Sequence, residues 1–476
     1  MCEDHSGMAQ NFIDCCREQA FLLPPDVREW LPERHLAWFL IDAVTEMDLS
    51  GFYAAYRQDG HGRAAYEPAM MVALLLYAYA RGLRSSRAIE RACEEDVAYR
   101  VLAANQKPDH ATLARFVERH EQALADLFSD VLALCADAGL VKAGVIAIDG
   151  TKVAANASRD ADRDYGQIAR EILEQARAVD QAEDERFGEA RGDELPPHLS
   201  TRGGRRAWLR DAKRRHEERR AQEARPVPRS RAKRLSEAKR RLEEDLEVER
   251  RANAAYEAYR ARGIAADGSR RMAPGATKPY QPPETPTGKV NLTDPDSRLV
   301  KAMRGWIQGY NAQAAVNERQ IVLAAEITID SPDFGHLEPI VDATQAELEQ
   351  AGVPDKPEIA LADAGYWHQK QMENVVRRGI QVLIPPDSKK REGARPGWDG
   401  GYYAFMRRVL ATEHGGELYR KRQTMIEPVF GHTKFNRGFD RFRRRGRSAA
   451  RSEWHLIAAT HNLVKLHQHK TATAGA

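Results

Sequence analysis

The spacing of apolar residues divides the chain into regions of different secondary structure. Over residues 21–140 the pattern is helical. PAMMVALLLYAYARGL is apolar enough to form a buried helix, and SSRAIERACEEDVAYRVL carries apolar residues at three-to-four spacing, which predicts a helical N-terminal region spanning 1–140. At Gly144 the pattern changes to GVIAIDGTKVAANAS, a β-branched run that ends at Asp149 and precedes a second run over 151–154. We therefore expect a sheet to follow the helical region.

Two helices of the N-terminal region are candidates for DNA binding. SSRAIERACEED is followed by a break at NQKPD and then by DHATLARFVERHEQAL, where a second helix starts behind Asp109 with Thr112 in its first turn. This arrangement is compatible with a helix-turn-helix motif. An ordinary pair of helices inside a bundle explains it equally well.

Residues 161–284 interrupt the strand pattern. Stretches such as AKRRLEEDLEVERRANAAYEAYRARG are rich in Ala, Glu and Arg, which predicts solvated helices paired as a hairpin or coiled coil and broken by Pro226 and Pro228. The helices are followed by AADGSRRMAPGATKPYQPPETPTGK, a linker rich in Pro and Gly. We interpret the segment as a charged helical insertion with its own linker.

Strand patterns return after the insertion and alternate with helices. SRLVKAM and QIVLAAEITID precede a predicted helix over 337–351, and EIALADAGY then forms a strand that ends in Asp363. A helix over 369–378 and the strand QVLIPP follow, and this alternation favours parallel pairing. The expected fold class is α/β, with a mixed-sheet core made of residues 141–160 and 285–470, interrupted by the insertion and preceded by an all-α region.

Net charge alone says little about partners, because 73 Lys and Arg residues stand against 70 Asp and Glu residues and leave +3. The distribution is more informative, since residues 437–451 read RGFDRFRRRGRSAAR, a basic stretch interleaved with Phe439 and Phe442. We expect this stretch to contact DNA phosphates, and a solvated helix end is the alternative. The candidate contacts are Arg437, Arg441, Arg443, Arg444 and Arg445.

Cysteine usage and the first residues bear on the compartment. The five cysteines show no CxxC pair, are odd in number and lie in the first third of the chain, which indicates reduced thiols. MCEDHSGMAQNF lacks a basic region followed by an apolar run, and no window approaches the roughly 18 apolar residues of a membrane span. We expect a cytoplasmic protein with no membrane partner, and a bacterial cytoplasm fits best.

Three carboxylates are candidates for chemistry. IAIDG and LADAG are predicted strands that end in Asp149 and Asp363, and carboxylates at the carboxyl ends of adjacent strands converge on one crevice. A third carboxylate is expected from a helix, and Glu427 in RQTMIEPVFGHTK is the natural choice, near a helix start because Pro428 follows it. Each residue alone has an ordinary explanation, a turn for the two aspartates and a helix surface for the glutamate.

The three carboxylates together suit Mg²⁺, which prefers oxygen ligands and keeps several waters. Two such ions, for which Mn²⁺ can substitute, would activate an attacking water or 3′-hydroxyl and stabilise the leaving oxygen. Asp149, Asp363 and Glu427 are therefore candidate catalytic and metal-binding residues for phosphodiester chemistry.

Basic residues near the carboxylates are further candidate DNA contacts. Lys434 follows Glu427 by seven positions, so both could share one helical face. Arg422 is expected to neutralise phosphate or to pair with Glu427, and Lys152 to touch DNA or to face solvent.

Aromatic residues allow a similar choice. Trp306, Tyr310 and Trp367 could stack on an unpaired base, but burial in the core is the commoner explanation. Gly305 and Gly309 indicate close approach of another backbone.

Several blocks of the sequence resemble a known family. IDGTKVAANAS, LADAGYW and YRKRQTMIEPVFGHTKFNRGF closely resemble the characteristic blocks of IS1182-type insertion-sequence transposases, within the broader IS4/IS5 DDE group. FLLPPDVREWLPERHLAWFLIDAV and NLTDPDSRLVKAMRGWIQGYNAQAAV resemble its N-terminal and middle blocks, so the resemblance covers most of the chain. It implies an RNase H-like core with Asp149, Asp363 and Glu427 as the DDE residues. One departure is that Arg422 precedes Glu427 by five positions, where the signature has four.

The resemblance implies a transposase that binds the terminal inverted repeats of its own element, cleaves DNA and joins the 3′-hydroxyl to target DNA. Its partner would be double-stranded DNA, in the nucleoid. Pairing of two ends needs at least a homodimer, and the insertion is a candidate for that contact. Two alternatives stay open: a metal-dependent nuclease without strand transfer, and a catalytically silent DNA-binding protein derived from a transposase.

Overall fold

The computed structural model describes residues 29–56, 64–176, 212–216, 227–228, 230–261, 281–302, 305–386 and 401–474. Three of the five cysteines, Pro226 and most of the predicted linker lie outside these residues. Cys93 and Cys135 are buried free thiols, as expected. In the described part of the chain, no helix combines the length and apolarity that crossing a membrane requires.

Seven helices lie among the described N-terminal residues. Asp109 begins the last but one of these helices, because its carboxylate accepts the backbone N–H of Thr112 at 2.9 Å. The helices are α1 Leu36–Thr45, α2 Ser50–Tyr53, α3 Pro68–Ala80, α4 Ser86–Glu95, α5 Val97–Leu102, α6 His110–Arg119 and α7 Glu121–Asp137.

One mixed sheet follows. Its strands are β1 Val145–Ala154, β4 Arg298–Ala302, β5 Gly305–Asn317, β6 Val322–Thr328, β7 Ile359–Ala362 and β8 Gln381–Leu383. The order is β4-β5-β1-β7-β8, with β6 also paired to β5. The pairs of β5 with β1, β4 and β6 are antiparallel, whereas β1, β7 and β8 run parallel to one another. The predicted parallel pairing is thus confirmed for the second half of the sheet.

Strand β1 differs from its prediction. The sequence indicates a strand end at Asp149, but β1 is continuous through Ala154. The pair Asp149–Gly150 forms no turn because both residues are paired with β5, opposite Ala314 and Gln313. Antiparallel pairing with a long neighbour overrides the local turn preference of Asp-Gly.

The remaining helices cover the sheet. They are α10 Leu337–Gln350, α11 Gln369–Arg377, α12 Gly401–Ala411, α13 Glu413–Gly431 and α14 Arg447–Thr473, and α13 runs on into a π turn over His432–Asn436. Helix α14 contacts β6 as well as α3 and α7. One hydrophobic core therefore joins the N-terminal helices to the sheet, from Leu40 to Leu463. Residue 140 marks a change of secondary structure within that core.

The insertion has a small core of its own. Helices α8 Tyr165–Ala176 and α9 Arg231–Ala261 contact each other and a two-stranded sheet made of β2 Asp162–Asp164 and β3 Lys289–Asn291. Ile168, Leu235, Leu242 and Val290 are its principal buried residues.

Candidate active site

Asp149 and Asp363 lie side by side because of strand register. In the parallel pair β1–β7, Ile148 lies opposite Ala362. The residue after each of them is an aspartate, Asp149 and Asp363. Asp363 then caps a 3₁₀ turn over Ala364–Tyr366 by accepting the backbone N–H of Gly365 at 2.8 Å. The structure thus brings the two predicted aspartates together on neighbouring inner strands of the sheet, at the point where β7 ends.

The guanidinium group of Arg422 lies beside these two aspartates. Arg422 Nη1 on α13 donates to Asp149 Oδ2 at 2.8 Å, while its Nε is buried without a hydrogen-bond partner among the described residues. Burial raises the pKa of Asp149 to about 6, against the lowering effect of Arg422 and with a further increase from the Asp363 carboxylate. The predicted ion pair of Arg422 with Glu427 is replaced by one with Asp149.

A third aspartate, Asp333, was missed by the sequence prediction. Its Oδ1 accepts hydrogen bonds from Lys152 Nζ at 3.0 Å, Asn311 Nδ2 at 2.7 Å and Gln313 Nε2 at 2.8 Å. A Cβ placed on Gly365 would lie 2.9 Å from Asp363 Oδ1 and 3.6 Å from Asp333 Oδ2, so these two oxygens flank the same glycine. In sequence, Asp333 stands in SPDFGH and looks like a turn residue, which carries no signal of a site. We call Asp149, Asp333 and Asp363 the carboxylate edge.

Gly150 is required for this packing. A Cβ there would overlap Gln313 Nε2, Asp333 Oδ1 and Asn311 Oδ1. Asn311 is fully buried, and its Oδ1 has no hydrogen-bond partner in the described part of the chain. The carboxylate edge therefore contains a buried, unpaired oxygen next to Asp333.

Glu427 does not lie near a helix start, so that prediction is wrong. Helix α13 begins at Glu413 behind the cap Thr412, and Glu427 lies in its last turns with an exposed side chain. Pro428 is tolerated inside the helix because the Thr424 carbonyl, which loses its usual N–H partner, accepts Gln320 Nε2 at 2.9 Å. Five residues separate Arg422 from Glu427, about 140° around a helix, so the two side chains point in different directions.

The predicted triad is not assembled in this conformation. No three His, Cys, Asp or Glu side chains of the described ranges are placed to hold a metal ion together. Two of the three predicted residues meet at the carboxylate edge, and Glu427 stands outside it.

Two lysines lie beside the carboxylate edge, Lys152 in the second half of β1 and Lys434 in the π turn. Lys152 pairs with Asp333, and Lys434 Nζ donates to the Lys152 carbonyl at 3.0 Å. Burial lowers the pKa of Lys434, and the charge of Lys152 lowers it further. Lys434 lies within the π turn that follows the α-helix carrying Glu427, so the regular helical spacing behind the expected shared face does not reach it.

One predicted DNA contact, Arg437, is wrong. Arg437 is only 6% exposed, and its guanidinium donates to the carbonyls of Tyr79 and Ile457 and to the hydroxyl of Thr460. Burial, with a smaller contribution from the charge of nearby Arg84, lowers the pKa of Arg437 to about 9. This arginine is occupied inside the protein and holds α3 to α14.

The rest of the basic stretch is at the surface. Phe439 and Phe442 are buried, with Phe439 stacked on Trp454, so the arginines between and after them turn outward. Arg443 and Arg445 are exposed. Arg441, also exposed, donates to the carbonyls of Ala155 and Ala157 at 3.2 and 3.4 Å, and half-buried Arg444 pairs with Glu121.

The aromatic candidates for base stacking also divide into buried and exposed residues. Tyr310 is fully buried and donates to Asp294, and Trp367 packs edge-on against Tyr403. Trp306 is exposed, and so is Phe435 in the π turn, at 85%. Gly309 does meet a neighbouring backbone, because a Cβ there would overlap the Val153 carbonyl.

Two models of known protein families match parts of the chain. A transposase domain model, DUF772, matches residues 25–119, and the model of the transposase DDE domain matches residues 290–463. The chain therefore carries transposase domains. One of these is a DDE domain, which agrees with the DDE transposase group expected from the sequence blocks. No curated protein and no solved structure matches the chain.

Proposed function

We propose that this DDE transposase, of the IS1182 type, binds the terminal inverted repeats of its own element, cleaves DNA there and transfers the 3′-hydroxyl end to target DNA. The observation that carries the proposal is the adjacent register of Asp149 and Asp363 on paired parallel strands. Asp149 lies outside both matched family segments, so its place beside Asp363 is independent support.

An RNase H-like core is part of the proposal. Support comes from a central β1 with antiparallel partners on one side and parallel partners on the other. In the proposed organisation, residues 141–160 and 285–470 form the catalytic core, 161–284 are the charged insertion, and 1–140 bind DNA. The protein works as at least a homodimer, in the bacterial cytoplasm and at the nucleoid.

The residues of the carboxylate edge fit a divalent hard cation. All the donors are oxygens, and the unpaired Oδ1 of buried Asn311 adds a neutral one beside the aspartates. Asp149 and Asp363 would hold Mg²⁺ or Mn²⁺, with Glu427 as the third ligand. When bound, two such ions supply activation of the attacking oxygen and stabilisation of the leaving oxygen.

The chain's own residues have defined tasks around that chemistry. Arg422 neutralises the Asp149 carboxylate. Once metal ions balanced the charge of that carboxylate, the guanidinium would be free to bind a phosphate oxygen. In this proposal the exposed side chain of Glu427 moves to the carboxylate edge when the metal ions bind. Lys152 and Lys434 keep the far half of β1 and the π turn together.

Cleavage and strand transfer can be tested separately. The purified protein is incubated with Mg²⁺ and duplexes carrying the element's ends, either intact or pre-cut. We expect Asp149→Asn to abolish cleavage and joining but to retain DNA binding, whereas the exposed Asp355→Asn acts like the parent. Cleavage without any joining of pre-cut ends would leave a nuclease. Binding of the end duplexes by the parent with neither cleavage nor joining, unchanged in the Asp149 variant, would leave a silent DNA-binding protein.

A further inference from the structure

A large cavity lies away from the carboxylate edge, between the N-terminal helices, the insertion and the basic stretch. Its volume is about 970 Å³, and its walls come from α3, α4, α6, helix α9 of the insertion and residues 443–449. We call it the arginine cavity.

The charge of the cavity favours an anion. Eight arginines and five carboxylates line it, which leaves a surplus of positive charge. The pairs Arg241–Asp296 and Arg444–Glu121 consume part of both sets. The surplus is local, since the whole chain carries only +3.

Several guanidinium groups in the cavity have N–H donors to spare. Arg234 Nε on α9 and Arg444 Nη1 are buried, and neither has an acceptor in the described part of the protein. Buried N–H groups without acceptors are costly, and a phosphate oxygen would satisfy them with charge-assisted hydrogen bonds. The exposed Arg443 and Arg445 stand beside them.

The cavity is built around a fixed backbone. Buried Glu453 on α14 accepts the backbone N–H groups of Arg443 and Arg444 at 2.8 and 3.2 Å and pairs with Arg84 at 3.1 Å. The side chains of Arg443 and Arg444 are thus presented from a held loop. An anion would meet donors that are already in position.

The cavity is linked to the carboxylate edge by β1. Asn156, which lines the cavity, donates to the Arg443 carbonyl at 2.6 Å and follows Asp149 by seven residues. At about 3.3 Å per residue, the separation is at most about 23 Å, the length of roughly seven base pairs of duplex DNA. Arg447 lines both the arginine cavity and a second cavity of about 270 Å³ that reaches Gln313 and Asp330, next to the edge.

We propose that the arginine cavity binds backbone phosphates of the DNA duplex within about seven base pairs of the cleavage site, and that helix α9 supplies part of this contact. The inference rests on the proposed function and deepens it, because it gives the insertion a role in holding DNA. Arg234, Arg443 and Arg445 are the residues that touch phosphate.

The test measures how binding depends on salt. Binding of the full chain to a fluorescent 30-base-pair duplex is followed by anisotropy between 50 and 300 mM KCl, for the parent, Arg234→Gln, Arg443→Gln and the double variant. The matched control is Arg251→Gln, an exposed arginine of the same helix that does not line the cavity. Thermal unfolding of every variant checks the fold.

Each single cavity variant is expected to reduce the magnitude of the slope of log K against log[KCl] by about 0.9. The double variant should reduce it by about twice that amount, and Arg251→Gln should leave it unchanged. Equal slopes for the parent and the double variant would overturn the proposal, as would an equal loss in the control. On end duplexes, ethylation of phosphates within about seven base pairs of the cut should weaken the parent but not the double variant. If the parent cleaves ends and these slopes do not move, only the cavity is wrong. If Asp149→Asn also cleaves, the proposed function fails.

Discussion

The carboxylate edge and the arginine cavity are built in different ways. At the edge, neighbouring strands place Asp149 and Asp363 at adjacent positions of one ladder, so backbone hydrogen bonding sets their proximity. The cavity joins residues as distant in sequence as Leu75 and Ala449, and side-chain contacts such as that of Arg84 with Glu453 assemble it. The pairing of Asp149 with Asp363 is therefore recognisable in a sequence pattern, whereas Asp333 and the cavity residues come together only after folding.

The largest effect is expected at the edge. Asp363→Asn removes one of the charges that would hold the metal ions, and loss of several kcal/mol of stabilisation lowers cleavage on the order of 1,000-fold or more. Initial rates on an end duplex measure this. A variant that cleaves within tenfold of the parent would separate the edge from catalysis, whereas retained anisotropy on DNA would show that binding belongs elsewhere.

The basic stretch contains a buried arginine, Arg437, and exposed arginines such as Arg445. Arg437→Gln leaves the carbonyls of Tyr79 and Ile457 without their charged donor, and we expect a loss of about 3 kcal/mol in the free energy of unfolding. Arg445→Gln, at the exposed surface, should change it by less than about 0.5 kcal/mol. Urea unfolding compares the two. Equal stabilities would mean that Arg437 is free to contact DNA after all.

The edge can also be disturbed without touching a charge. Gly150→Ala forces a Cβ into Gln313 and Asp333, and overpacking of this kind costs about 1–3 kcal/mol. Cleavage should fall with it, because Asp149 is the preceding residue. Gly144→Ala is the control, since its nearest neighbour would be Glu358 Oε2 at 3.9 Å. The two variants should differ in melting temperature, and an unchanged Gly150 variant would contradict the packing described for the edge.

Helix α14 underlies both regions and gives a smaller, pH-dependent effect. Burial lowers the pKa of His461 to about 3, below its ordinary value of 6.5, while Nε2 pairs with the Gln320 carbonyl at 2.9 Å. The unfolded chain binds this proton below about pH 6.5 and the folded chain does not, so stability is full above that pH and falls as pH drops toward 3. His461→Gln should flatten stability against pH between 4 and 6.5. The same slope in both proteins would assign the proton to another histidine.

The sequence predicted those features that local patterns determine. Apolar runs that lead into an aspartate pointed to Asp149 and Asp363, although β1 continues past Asp149. The helices over 337–350 and 369–377 appear within one residue of their predicted ends. Asp333 escaped notice because a turn aspartate and a site aspartate look alike in a sequence. Its role comes from Lys152, Asn311 and Gln313, which reach it only in the folded sheet.

The errors have tertiary causes as well. Pro428 predicts a helix start, but a glutamine more than 100 residues earlier serves the freed carbonyl of Thr424 and lets α13 continue. Arg437 belongs to a basic run, yet contacts from α3 and α14 bury it. In both cases a local rule is overridden by a partner that the sequence pattern does not reveal.

The single hydrophobic core has a consequence for dissecting the protein. Because α14, at the end of the chain, packs on α3 and α7 near its beginning, a fragment ending at residue 140 would expose the apolar surfaces of those helices. Such fragments should aggregate, and chimaeras that exchange only residues 1–140 should lose solubility unless α14 is exchanged too. Swapping the N-terminal helices alone is therefore a poor route to retargeting this protein.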